Sequence, residues 1–129
     1  MVSLQGIHHI AIICSNYQKS KEFYTTILGF KIIQEVYRED RKSYKLDLSL
    51  NEIYTVELFS FPDAINRPSY PEACGLRHLA FKVEDLDKAL KVLKSLNIAC
   101  EDIRVDPYTH KRFSFFSDPD GLPLELYEI

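Results

Sequence analysis

Two histidines and two glutamates recur in this chain at nearly one spacing. His9 opens the run His9-Ile10-Ala11-Ile12, and His78 opens His78-Leu79-Ala80-Phe81. Each His is followed by an apolar residue, an Ala and another apolar residue. Downstream stand Val56-Glu57-Leu58 and Leu124-Glu125-Leu126. His9 to Glu57 spans 48 positions and His78 to Glu125 spans 47. Two imidazoles and two carboxylates suit a divalent transition metal of borderline hardness, such as Zn, Ni, Co, Mn or Fe. Ca and Mg prefer shells of oxygen alone. A metal that accepts six ligands would keep positions for water or a chelating substrate.

The elements that must position these residues follow from the local pattern. Residues 7–14 read as a strand, with Ile10, Ile12 and Cys14 on one face and His9, Ala11 and Ile13 on the other. Ser15 with Gln18 fits a capping box. A helix is expected from Tyr17 to Leu28, buried through Tyr17, Ser20, Phe23, Tyr24 and Ile27, and ended by Gly29. Strands are expected near 30–38, 44–49 and 53–60, with charged residues 38–42 as the first turn. Residues 61–75 hold Pro62, Pro68 and Pro71 and form a linker. The second copy then begins at Leu76, with Leu79, Phe81 and Val83 on one face of its first strand. Leu86, Ala89, Leu90, Leu93 and Leu96 mark an amphipathic helix with Asn97 near its C-cap. Strands are expected over 98–105, 112–117 and 122–127, with Asp118-Pro119-Asp120-Gly121 as the last turn.

The two halves align at an offset of 69 through the first strand and helix. Each is therefore a β-α-β-β-β unit, with module 1 at about 7–60 and module 2 at about 76–128 of a single domain, 1–129. The fold class is α+β, with curved mixed sheets around a cavity. Apolar neighbours of His9, Glu57, His78 and Glu125 should cover the helices, which sends these four to the concave faces by period-two alternation. His8 should point away, and His110 falls in an exposed turn.

Arg38, Arg41, Arg77, Lys111 and Arg112 are weak candidates for binding an anionic substrate group; alternation sends Arg77 away from His78. Tyr108 and Phe115 read as core packing, with cavity lining as the alternative. The 129 residues are 46% apolar and 27% charged, with net charge −3 and pI near 5.8. That balance gives no nucleic-acid footprint, and no apolar run suits a membrane span or signal core. A cytoplasmic protein is expected. Cys14, Cys74 and Cys100 are odd in number and widely spaced, against a disulfide framework or a Cys-based zinc site. Cys14 reads as a buried thiol.

These motifs resemble the vicinal oxygen chelate superfamily of glyoxalase I, bleomycin resistance and dioxygenase proteins. The resemblance rests on His9, on Phe23-Tyr24 with Leu28-Gly29-Phe30, on Val56-Glu57-Leu58, on His78-Leu79-Ala80-Phe81, and on Asp118-Pro119-Asp120-Gly121 leading to Glu125. Phe59-Ser60-Phe61-Pro62, Pro71 to His78 and Lys111-Arg112-Phe113 make the chain most similar to the YaeR-like branch. The resemblance implies paired βαβββ modules and one divalent metal per site, held by His9, Glu57, His78 and Glu125. Glu57 argues against the dioxygenase and fosfomycin-resistance types, which usually lack a ligand there, and against the bleomycin-binding members, which lack the metal set.

The expected activity is that of a lactoylglutathione lyase-like enzyme: proton transfer next to a carbonyl, with a metal-stabilised enediolate, on a substrate such as a thiol adduct of a 2-oxoaldehyde. Glu125 is the first choice as base by motif position, with Glu57 as its partner. The alternatives are a ferrous dioxygenase-type oxidoreductase and a non-catalytic, metal-dependent ligand-binding protein. A homodimer is expected, with the site closed inside one chain or shared between two.

Overall fold

The computed structural model describes residues 1–129. Its contacts divide the chain into two units, Met1–Asn66 and Arg67–Ile129. The division falls inside the expected 61–75 linker, which carries no strand or helix.

In the first unit the order is β1 (Ile10–Cys14), α1 (Tyr17–Glu22), β2 (Lys31–Arg38), β3 (Ser43–Leu50) and β4 (Ile53–Ser60). The strands form one mixed sheet in the order β1-β4-β3-β2, with β1 parallel to β4 and the other pairs antiparallel. The second unit repeats this plan with β5 (Leu79–Val83), α2 (Leu86–Ser95), β6 (Arg104–Val105), β7 (Arg112–Ser117) and β8 (Pro123–Glu128), in the order β5-β8-β7-β6. The tandem βαβββ reading therefore holds.

Alternation builds both cores. Ile12, Cys14, Leu46, Leu48, Val56 and Leu58 are buried with Phe23, Tyr24 and Phe30 in the first unit. Leu124, Leu126 and Phe116 are buried with Leu86, Leu90 and Leu93 in the second. Cys14 is the buried thiol expected, at 1% exposure.

Local details depart from the sequence reading. The cap of α1 is Asn16, whose side chain accepts from the Lys19 amide at 3.0 Å, rather than Ser15 with Gln18. The helix widens into a π-turn at Phe23–Ile27 before Gly29 ends it at φ +80°. Strand β1 begins at Ile10, so His8 and His9 precede it. The long strand expected over 98–105 is reduced to Arg104–Val105. The segment before it keeps one ladder bond, from the Glu101 amide to the Phe115 carbonyl at 2.8 Å.

Candidate metal centre

Each unit brings one histidine to one glutamate. Ala11 pairs with Glu57 across β1 and β4, and Ala80 pairs with Glu125 across β5 and β8. His9 and His78 each stand two residues before that Ala, one residue ahead of the strand. The two registers are identical, so both imidazoles reach their carboxylates: His9 Nε2 lies 3.7 Å from Glu57 Oε2, and His78 Nε2 lies 3.1 Å from Glu125 Oε2. Both histidines keep about a third of their side-chain surface, at 35% and 37%, while the glutamates keep 14% and 11%. The pairs thus lie at the bottom of open faces, with the imidazoles toward solvent. No group of three or more His, Cys, Asp or Glu side chains is gathered into an arrangement able to hold a metal.

The first pair sits in a polar network that alternation did not reveal. Tyr54 donates to Glu57 Oε2 at 2.7 Å and to Asp47 Oδ1 at 3.0 Å. Lys45 Nζ bonds both Asp47 oxygens, at 2.8 and 2.9 Å, and lies 3.5 Å from Glu57 Oε2. All these partners engage Oε2, which leaves Oε1 open. Burial, then the bonds to Glu57 and Asp47, push the Tyr54 phenol well above its ordinary range. The bond to Asp47, above all, raises the Lys45 ammonium.

Tyr54 reaches this network because of a β-bulge. Leu48 pairs with Val56, but Ser49 pairs with Tyr54, so Thr55 is left out of the register. Strict alternation would send Tyr54 to the core side with Val56; the extra residue turns it to the face of Glu57. His8 is also nearer than expected. Its Nδ1 lies 2.8 Å from His9 Nδ1, and its ring meets Tyr54 edge-on. Alternation does not govern it, because it precedes the strand.

The second pair has an aromatic setting. Phe115 stands opposite Glu125 and meets the His78 ring edge-on, at 5.1 Å and 84°. A cavity of about 660 Å³ lies here, lined by His78, Arg77, Arg104, Phe115 and Tyr70 among others. Arg77 therefore shares a cavity with His78, contrary to the alternation argument: it too precedes the strand. Its guanidinium stacks on Tyr70 and donates to the Ser69 carbonyl at 2.9 Å. Phe115 lines the cavity, whereas Tyr108 is 93% exposed and packs in no core. The Asp118 carboxylate accepts from the Asp120 and Leu122 amides, both at 2.9 Å, and so fixes the entry of β8 and the placement of Glu125.

The remaining basic candidates are dispersed. Arg38 and Arg41 lie in the first unit against Phe59 and Phe61. Arg112 makes a two-pronged bond to Glu128, at 2.8 and 2.7 Å, and reaches Asp87 at 3.0 Å, which ties β7 to β8 and to α2. Lys111 is exposed, and His110 is exposed in the adjoining turn at φ +61°.

Within each unit the donor pair, one imidazole and one carboxylate, is of the chemistry that suits a borderline divalent ion. The model of the Glyoxalase/Bleomycin resistance protein/Dioxygenase superfamily matches residues 6–126. The chain is 64% identical over 128 residues to the uncharacterised Escherichia coli (strain K12) protein YaeR, covering 99% of both. It is 66% identical over 125 residues to the uncharacterised Bacillus subtilis (strain 168) protein YwkD, covering 97% of this chain and 98% of that one. The crystal structure of a glyoxalase family protein from Enterococcus faecalis superposes with a TM-score of 0.90 at 49% identity, over 96% of this chain and 98% of the other. More distant relatives include a 2-epi-5-epi-valiolone epimerase of Actinomyces, 26% identical, and the metallothiol transferase FosB of Staphylococcus saprophyticus, 30% identical, over 79% and 77% of those proteins.

Proposed function

The chain belongs to the Glyoxalase/Bleomycin resistance protein/Dioxygenase superfamily, and from that premise we propose that it is a metal-dependent lyase or isomerase of the glyoxalase I type. In this reading His9, Glu57, His78 and Glu125 hold one divalent transition metal, the protein works in the cytoplasm as a homodimer, and its substrate is a thiol adduct of a 2-oxoaldehyde or a related hydroxycarbonyl compound. The observation that carries the reading is the repeated register: the Ala–Glu pairing recurs unchanged in both units and sets a His against a Glu each time. The distant relatives named as an epimerase and a metallothiol transferase support an enzymatic reading.

A divalent ion held there supplies Lewis-acid polarisation of a substrate carbonyl. The chain's own residues do the rest. Glu125, at 9% exposure beneath His78, takes the proton from the carbon next to the carbonyl. Burial beside the Phe115 ring keeps water from competing for that carboxylate. Glu57 is oriented by Tyr54 through Oε2, so its Oε1 is the oxygen presented for ligation or proton return. His9, when it ligates through Nε2, carries its proton on Nδ1, and His8 Nδ1 at 2.8 Å is positioned to accept it.

The test is metal content by elemental analysis after loading with Ni, Zn, Co, Mn or Fe, followed by a hemithioacetal isomerisation assay with the metal retained. The reading expects about one metal per chain in the wild type and its loss in His78→Ala. No specific metal under any loading, or a bound metal with no turnover of any hydroxycarbonyl adduct, would overturn it.

A further inference from the structure

Resting on the reading above, we propose that Arg38 and Arg41 form an anion-binding subsite that takes the carboxylate or phosphate of an acidic substrate. The two side chains share an aromatic floor. Phe59 and Phe61 stack at 5.9 Å and 19°. The Arg38 guanidinium lies 4.7 Å from the Phe59 ring and 5.8 Å from the Phe61 ring, and that of Arg41 lies 5.8 Å from Phe61. Planar guanidinium groups held on ring faces are pre-organised for two-pronged binding of an oxyanion.

Their positive charge has no internal acceptor of opposite sign. Neither guanidinium pairs with a carboxylate. Arg38 Nη2 donates to Ser43 Oγ at 3.0 Å, while its Nε is buried and has no partner. A buried donor on a charged group is costly when unmatched. An oxyanion spanning the two guanidinium groups would supply the missing opposite charge.

The subsite also lies at a useful distance. Arg38 pairs with Ser43, and Lys45 and Asp47 continue that face opposite Phe59 and Glu57. Phe59 is two residues beyond Glu57, one strand repeat of about 7 Å. A substrate whose oxygens sit at Glu57 would reach Arg38 with an acid group a few bonds away. In the second unit Tyr127, two residues beyond Glu125, donates to Asp106 at 3.1 Å, and the arginine over the rings there, Arg104, is paired with Glu101 at 3.2 Å.

The experiment uses the full chain, stripped of metal by chelator and labelled with nitrogen-15. Inorganic phosphate and acetate are titrated separately at constant ionic strength, and backbone and arginine Nε–H signals are followed by NMR. Saturable shifts at Arg38 Nε–H and around Phe61 are expected, with affinity weakened about tenfold in Arg38→Gln and Arg41→Gln and unchanged in Lys91→Gln on α2. Saturation by phosphate or by acetate identifies the acid group. Arg41 is exposed and its guanidinium touches only Phe61, so its variant serves even if Arg38→Gln fails to fold. Shifts that never saturate, or equal affinity in both arginine variants and the wild type, would overturn the proposal. Metal content measured on separate, metal-loaded samples of the same proteins separates the two readings. Metal without anion binding removes only the subsite, and anion binding without metal removes only the metal-dependent function.

Discussion

Tyr54 donates its phenolic proton to Glu57 Oε2 at 2.7 Å, and the same hydroxyl lies 3.0 Å from Asp47. One donor thus holds two carboxylates in place. Tyr54→Phe leaves both without it and should cost about 1.5–3 kcal/mol in urea unfolding, the range for hydrogen bonds to charged groups. Metal affinity should fall about tenfold or more, because the ligand's orienting partner is lost. The sign with pH is fixed by the raised phenol. Above the ordinary tyrosine value of 10.0 the unfolded chain loses this proton while the folded chain keeps it. The wild type's advantage over Tyr54→Phe should therefore be full below that pH and shrink as pH rises beyond it. An advantage that grows in alkali would contradict the assignment.

Glu125→Gln should retain most of the bound metal while turnover drops by about 10²–10⁴-fold, the usual contribution of a general base. Steady-state rates and elemental analysis on one preparation decide it. Wild-type rates in this variant would remove Glu125 from the role of base.

Glu128 and Arg112 form a tie that responds to acid. Arg112, together with the Leu86 amide, lowers the Glu128 carboxyl from 4.5 to about 2. The stabilisation is complete above the unfolded value and is lost as pH falls through the folded one. Acid unfolding followed by circular dichroism should show the wild type losing stability between pH 4.5 and about 2. Glu128→Gln should be less stable near neutrality and less sensitive across that window.

Asn16 and Asp85 cap the two helices through side chains that accept from the Lys19 and Lys88 amides, at 3.0 and 2.9 Å. Asp85→Ala should cost about 1 kcal/mol and Asp85→Asn only a few tenths. Thermal melts of the two variants check this. Equal losses would show that charge rather than the cap bond is at work.

Much of this architecture is legible in the residues themselves. Period-two alternation separates Val56 and Leu58 from Glu57 and assigns the strand cores, and the repeat reveals two units of one plan. The comparisons support that plan over almost the whole chain. The face argument weakens where the chain is not in a regular strand. His8 and Arg77 stand before their strands, so alternation misplaced both side chains. Tyr54 is shifted by a bulge whose register has no signal in composition. Lys45 and Asp47 read as ordinary strand polars, because only the pairing of β3 with β4 sets them beside Glu57. Arg112 reads in sequence as a weak candidate for an anionic substrate group, whereas its bonds to Glu128 and Asp87 depend on two other elements.

The omission of Thr55 from the pairing of β3 with β4 makes strand register a chemical variable at this site. Deleting that one residue, which touches neither metal nor substrate in the proposed mechanism, would restore unbroken alternation. Tyr54 would still pair with Ser49 and stay on the face of Glu57, whereas regular pairing with Thr55 kept in register would turn its hydroxyl toward the apolar core. The bulge, rather than the residue it leaves out, therefore decides which face the tyrosine three positions from Glu57 takes.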